Sequence, residues 1–245
     1  MSNTYLTIAD TIINLHSDFL LQQLSEEEKR LQYAERFNNF FYNGKAKPDI
    51  LIKVEVVDKL PEVSGETIFI TNHFQSKTEN WRMVKKGDSY IYKSPLEDKK
   101  QLMLVNRTFD RVTAYFLPKT KNYSGGKESQ IFIKKHKGFV WSASDIIYDF
   151  LQVLLINYFA QRNEGIFTHS VGIKDIDGEG LLFNGKSGCG KSTTARLWHK
   201  HSKAIVLNDD RIIVRKINGK FFIYGSPWHG EFSDYLESRI ERAPL

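Results

Sequence analysis

Gly185-Lys186-Ser187-Gly188-Cys189-Gly190-Lys191-Ser192 is the stretch on which the reading of this chain turns. It satisfies the pattern G-x-x-x-x-G-K-[ST] at every fixed position and follows the apolar run Leu181-Leu182-Phe183. Glycines in such a loop permit backbone angles that point successive N–H groups inward at a polyphosphate. Lys191 can then reach the β- and γ-phosphates, and the Ser192 hydroxyl can hold Mg²⁺. The flanks agree with the motif. Residues 180–184 have the length and apolarity of a strand, and Thr193 continues from Ser192 into a helix to Lys200, with Leu197 and Trp198 expected on the sheet. Strand, glycine turn and helix N-terminus together aim backbone donors at an anion. Gly185 through Thr193 is therefore expected to bind a nucleoside triphosphate with Mg²⁺.

Two further groups fall within reach of that loop. Asp209 and Asp210 follow the apolar run Ala204-Ile205-Val206-Leu207, which places them at the end of a strand beside the loop. Adjacent carboxylates at a strand terminus point to opposite sides and divide two tasks, one on the metal side and one taking a proton from an attacking hydroxyl. A solvated Asp-Asp turn paired with Arg211 is the plainer alternative. His169 lies on the strand before the loop strand, where it is either structural or placed to reach the transferred phosphate or orient an aspartate.

Composition narrows the remaining classes. The chain has 245 residues, 41% hydrophobic and 13% aromatic, enough for a substantial core. Its net charge of +6 is spread without a long run of like charge, which argues against nucleic acid as a partner. Cys189 is the single cysteine, so no internal disulfide forms and a cytoplasmic, reducing setting is expected. The N-terminus has no charged segment leading into an apolar one. The most apolar segment, 146–160, is interrupted by Asp149, Gln152 and Asn157 and falls short of the roughly 20 apolar residues that span a bilayer. It reads as a buried helix, with no membrane partner.

Along the chain, Tyr5 to His16 reads as a strand pair, and Ser25 with Glu28 as a capping box opening a helix over 26–41. Short strands follow over 50–57, 67–71, 80–84, 90–93, 101–106 and 111–117, with a hairpin turn at Lys86-Gly87-Asp88. That series predicts an antiparallel sheet. Tyr123 to Lys127 reads as a mobile loop. Ser142 and Asp145 cap a helix running to about Gln161, after which strands are expected over 166–173, 180–184, 204–207, 211–216 and 220–224, then a helix over 232–242. The expected division is a β-rich region over 1–141, which recognises a partner, and a nucleotide module over 142–245.

The loop, Thr168-His169-Ser170 and Asn208-Asp209-Asp210-Arg211 together resemble the HPr kinase/phosphorylase superfamily, over about residues 166–231. The resemblance implies an α/β fold: a phosphoenolpyruvate carboxykinase-like P-loop nucleotide-binding domain, here preceded by a β-rich α+β N-terminal region. It also implies that His169, Lys191 and Asp209 are catalytic, Asp209 accepting the proton of the acceptor serine. Ser192 and Asp210 would then be on the metal side. The segment 149–161 and Tyr224-Gly-Ser-Pro-Trp-His-Gly-Glu231 resemble the divergent branch of that group. A Leu-Glu-Ile-Arg-Gly segment carried by the enzymes acting on HPr is absent, so the substrate does not transfer, and Glu231 is expected to replace its metal ligand. Trp228 and His229 would shape the acceptor side, unless 227–230 is simply a packed turn. The chain stops at Ala243-Pro244-Leu245, so the module is expected to be C-terminally incomplete, either a fragment or a shortened version.

The expectation is thus an ATP-dependent kinase acting on a hydroxyl of a protein or peptide. Alternatives are an ATP-binding module without transfer activity and, on fold analogy alone, a carboxykinase. A homo-oligomer stays open.

Overall fold

The computed structural model describes residues 2–18, 20–21, 37, 39–44, 46–57, 59–72, 79–93, 101–116, 140–141, 143–230 and 241–245. In chain order the elements are β1 (Ser2–Ile8), β2 (Thr11–Ser17), β3 (Leu20–Leu21), β4 (Ile50–Val56), β5 (Glu66–Asn72), β6 (Glu79–Lys86), β7 (Ser89–Lys93), β8 (Gln101–Val105), β9 (Arg111–Phe116) and β10 (Val140–Trp141). They continue as α1 (Ala143–Gln161), β11 (Gly165–Lys174), β12 (Gly180–Asn184), α2 (Lys191–His201), β13 (Ile205–Asn208), β14 (Arg211–Ile217), β15 (Lys220–Tyr224) and β16 (Arg242–Pro244). The fold is mixed α/β and dominated by strands.

Two compact units form. One comprises Met1–Tyr5, Ile12–Ala34 and Asn43–Leu151; the other comprises Leu6–Thr11, Glu35–Tyr42 and Gln152–Leu245. The division thus falls within α1, after Leu151, whereas the sequence places it ahead of that helix, and two N-terminal segments belong to the second unit.

The first unit is built on a sheet of order β1-β2-β4-β9-β8-β7-β6-β5. From β5 to β9 each strand pairs antiparallel with the next. The expectation of a wholly antiparallel sheet is corrected at β4, which pairs parallel with both β2 and β9. Parallel neighbours need a crossover of a dozen or more residues. The long stretch between β2 and β4 allows one, and the β5–β8 meander is itself the crossover from β4 to β9. Val84, Ile91 and Leu102 form a buried cluster under Leu60, Val63, Leu104 and Tyr115.

In the second unit, β11 pairs with β12, β13 and β14, and β15 and β16 extend the sheet beyond β14. Alternation along β12 sends Leu181 and Phe183 to one face and Leu182 to the other. On the first face Ala195 and Trp198 of α2 pack with Val171, Ile173 and Val206. Leu197, expected on the sheet, is instead 53% exposed, because helical spacing puts residues three apart, 195 and 198, on one side and leaves 197 off it. On the second face Leu207, Ile212, Val214, Ile223 and Ala243 are buried together.

The N-terminal segments are joined to this unit by specific bonds. Arg215 Nη1 donates to the Ala9 carbonyl at 2.6 Å, and the Tyr224 hydroxyl donates to Asp10 Oδ2 at 2.6 Å. Arg242 pairs with the same carboxylate. Burial, then the Asp10 hydrogen bond, pushes the Tyr224 phenol up to about 12. Phe37 and Phe40 are buried, and Phe41 makes an antiparallel bridge to Leu6.

The helix expected over 26–41 lies largely outside the described residues, and its described end is not α-helical: Phe37, Asn39 and Phe40 are in 3₁₀ conformation. The helix expected over 232–242 also lies outside them except for Glu241 and Arg242, neither of which is helical, Arg242 being in β16, and the loop expected over 123–127 lies outside them entirely. Among the described residues, no helix is long and apolar enough to cross a membrane.

Candidate functional site

The site is organised by β11. Its first half pairs with β14, ending at His169 opposite Arg211. Its second half carries β12 on one edge, with Ser170 opposite Asn184, and β13 on the other, with Gly172 opposite Asn208. Both flanking strands are antiparallel to β11 and so run in the same direction. Their carboxyl ends lie at the same end of the sheet, two strand spacings or about 10 Å apart. From one end leaves the glycine loop, residues 185–190; from the other leaves Asp209-Asp210.

Two of the loop's three glycines take a left-handed backbone. Gly188 has φ 81° and Gly190 φ 93°, and at both positions nothing lies within 4 Å of where a Cβ would stand. Gly190 is the N-cap of α2 and provides no side-chain acceptor for the first-turn N–H groups. Lys191 folds back over the loop, its Nζ donating to the Gly185 carbonyl at 2.7 Å and the Lys186 carbonyl at 3.1 Å. An ammonium has three donors, so one remains. His199, Lys200 and His201 in the last turn of α2 sit at the negative end of its dipole. Ser192 and Thr193 are exposed in the first turn, and Cys189 is an exposed free thiol.

The two aspartates occupy unlike surroundings. Asp210 Oδ1 meets His169 Nε2 at 3.0 Å and Arg211 Nη1 at 2.6 Å. Both partners use the same oxygen, and Oδ2 has none among the described residues. Asp209 is 3% exposed, and its Oδ1 accepts the Gly230 N–H at 2.8 Å. A Cβ on Gly230 would stand 2.6 Å from Asp209 Oδ2, so only glycine lets the chain come this close.

Asn208, fully buried, fixes the turn between the strands. Its Nδ2 donates to the carbonyls of Ser226 at 3.0 Å and Trp228 at 3.2 Å. Its Oδ1 accepts the N–H groups of Asp210 at 2.9 Å and Arg211 at 3.2 Å. The Ser226 hydroxyl donates to the Arg211 carbonyl at 2.6 Å. One amide therefore satisfies buried backbone groups on both segments. His229 is buried, with Nδ1 2.6 Å from the Gly230 carbonyl, which makes that nitrogen the protonated one.

The fold thus brings His169 together with Asp210, and Lys191 together with the loop. Glu231 lies outside the described residues. Among the described residues, no group of three or more His, Cys, Asp or Glu side chains is arranged to hold a metal. Mg²⁺ needs no such group, since it keeps several waters and takes one or two carboxylates. Asn208, Ser226 and Gly230 carry roles that sequence reasoning did not assign. The signal for Asn208 was its place before a two-residue turn, where an Asn side chain bonds the backbone two residues on. Neither a scan against family models nor a search of curated proteins finds a match to this chain.

Proposed function

We propose that this chain is an ATP-dependent phosphotransferase of the HPr-kinase-like type, moving the γ-phosphoryl of ATP to a hydroxyl of a protein or peptide. One observation carries the reading: the glycine loop and the aspartate pair leave the same end of strands flanking β11. On this reading the second unit is a phosphoenolpyruvate carboxykinase-like P-loop domain working in a reducing, cytoplasmic setting. The first-turn N–H groups of α2 and the remaining Lys191 donor receive the phosphates. The open space beside Gly188 and Gly190 leaves that backbone approachable, so these residues fit a triphosphate. Ser192 and Asp210 Oδ2, with water and Glu231, would hold Mg²⁺, which neutralises charge on the transferring phosphoryl group when bound. His169 and Arg211 fix Asp210 through its other oxygen. Asp209 takes the acceptor proton as the new O–P bond forms and ADP leaves. Gly230 holds it in place.

The burial of Asp209 favours a second reading, a nucleotide-binding module without transfer, in which that carboxylate only secures residues 226–230. Labelled ATP with Mg²⁺, full-length chain and cell extract separates the two. Transfer labels an acceptor, and Asp209→Asn abolishes the label while nucleotide binding persists. Binding with no label in wild type supports the silent module. Undiminished labelling by Asp209→Asn removes Asp209 as the base.

A further inference from the structure

We infer that Phe37, distant in sequence from every motif residue, is a positioning residue for the aspartate turn, so that the segment Glu35–Tyr42 governs the acceptor side of the site. The inference deepens the phosphotransferase reading, and its mechanical part stands without it. Phe37 is 1% exposed and packs edge-to-face on Trp228, centroids 6.1 Å apart at 86°. Phe167 contacts the same indole at 5.9 Å and 63°. Trp228 is 4% exposed, and its ring is thus bracketed by two phenyl groups. Phe167 is two residues before His169 on β11, on the same face of the strand.

The bracket matters because of what the backbone of Trp228 does. Its carbonyl accepts from Asn208 Nδ2 at 3.2 Å, and Asn208 Oδ1 holds the N–H groups of Asp210 and Arg211. Two residues further on, the Gly230 N–H holds Asp209 Oδ1. A shift of the indole therefore moves the carbonyl that Asn208 reads and the amide that Asp209 reads. The glycine loop makes none of these bonds. Among the described residues Lys191 bonds only within it, and the Thr194 N–H bonds the Gly190 carbonyl. Loosening Phe37 should disturb the carboxylates and leave the loop as it is, and any signal carried by the N-terminal segment would reach transfer rather than nucleotide binding.

The test uses the full chain carrying Phe37→Leu, which keeps most of the volume but loses the ring edge, and Phe37→Tyr, which keeps the ring. Amide hydrogen exchange is followed by NMR at Gly230, at Thr194 and along β14, alongside the kcat and KM for ATP in the labelling assay. Phe37→Leu is expected to speed Gly230 exchange about tenfold, the equivalent of one weakened hydrogen bond. Thr194 and β14 should be unchanged, kcat should fall at constant KM, and Phe37→Tyr should restore both readouts. Unchanged Gly230 exchange, or acceleration shared equally with β14, would overturn the inference and leave Phe37 an ordinary core residue. Selective acceleration in a chain that never labels an acceptor supports the positioning and discards the phosphotransferase reading instead.

Discussion

At Asp209 and Asp210, neighbours along the backbone are placed in unlike surroundings by the residues around them. Asp210 faces a histidine and an arginine; Asp209 is sunk against a backbone amide. The arrangement depends on the missing side chain of Gly230, so Gly230→Ala is expected to displace the Asp209 carboxylate. Transfer should fall at least tenfold while MgATP affinity stays within about twofold, since one disturbed charge-assisted hydrogen bond is worth about 1.5–3 kcal/mol. Kinetics and equilibrium binding on the same preparation check both halves. Tyr224 gives a prediction in pH. Its folded-state pKa lies near 12 against an ordinary 10.0, so the neutral phenol is the form the fold favours. The associated stability is fully present below pH 10 and is lost as pH rises toward about 12. Urea unfolding across that window should show wild type losing more stability than Tyr224→Phe.

Among the elements, those legible in the sequence were the ones whose cause is local. β12, the loop and α2 could be read because a short apolar run, glycines and a helix start each leave a mark within a few residues. The hairpin closed at Lys86-Gly87-Asp88 was legible for the same reason. The parallel neighbours of β4 were not, since alternation identifies a strand without naming its partner. Leu197 was misplaced because apolarity alone does not fix which side of a short helix meets the sheet. Asn208 and Gly230 were illegible as a site, because their meaning arises only when residues 226–230 return to the end of β13. β5 shows a liability of the same non-local kind. Among the described residues it is the end strand of its sheet, with Ile68, Phe69 and Ile70 exposed at 43%, 51% and 48%. Unprotected apolar edges template further pairing. Ile70→Lys is therefore expected to raise the concentration reached before light scattering increases, with little change in the thermal midpoint.

At the scale of the molecule, the second unit is assembled from three separated stretches of chain. Arg215, Tyr224 and Arg242 bind the turn at Ala9 and Asp10, and Phe37 backs Trp228. Residues 142–245 expressed alone lose the Ala9 and Asp10 partners of Arg215, Tyr224 and Arg242 and the Phe37 ring against Trp228. That fragment is expected to lack a cooperative thermal transition, and adding residues 1–141 in the same chain should restore it; circular dichroism melts decide the point. The proposed phosphotransfer requires that the amides and ammonium at the start of α2 receive a triphosphate. Calorimetric titration of the full chain with MgATP tests this most directly. One site per chain is predicted, weakened about 10- to 100-fold by Lys191→Ala, the equivalent of a charge-assisted hydrogen bond. Absence of binding heat confirmed by a second binding method, or equal affinity in the variant, would contradict it.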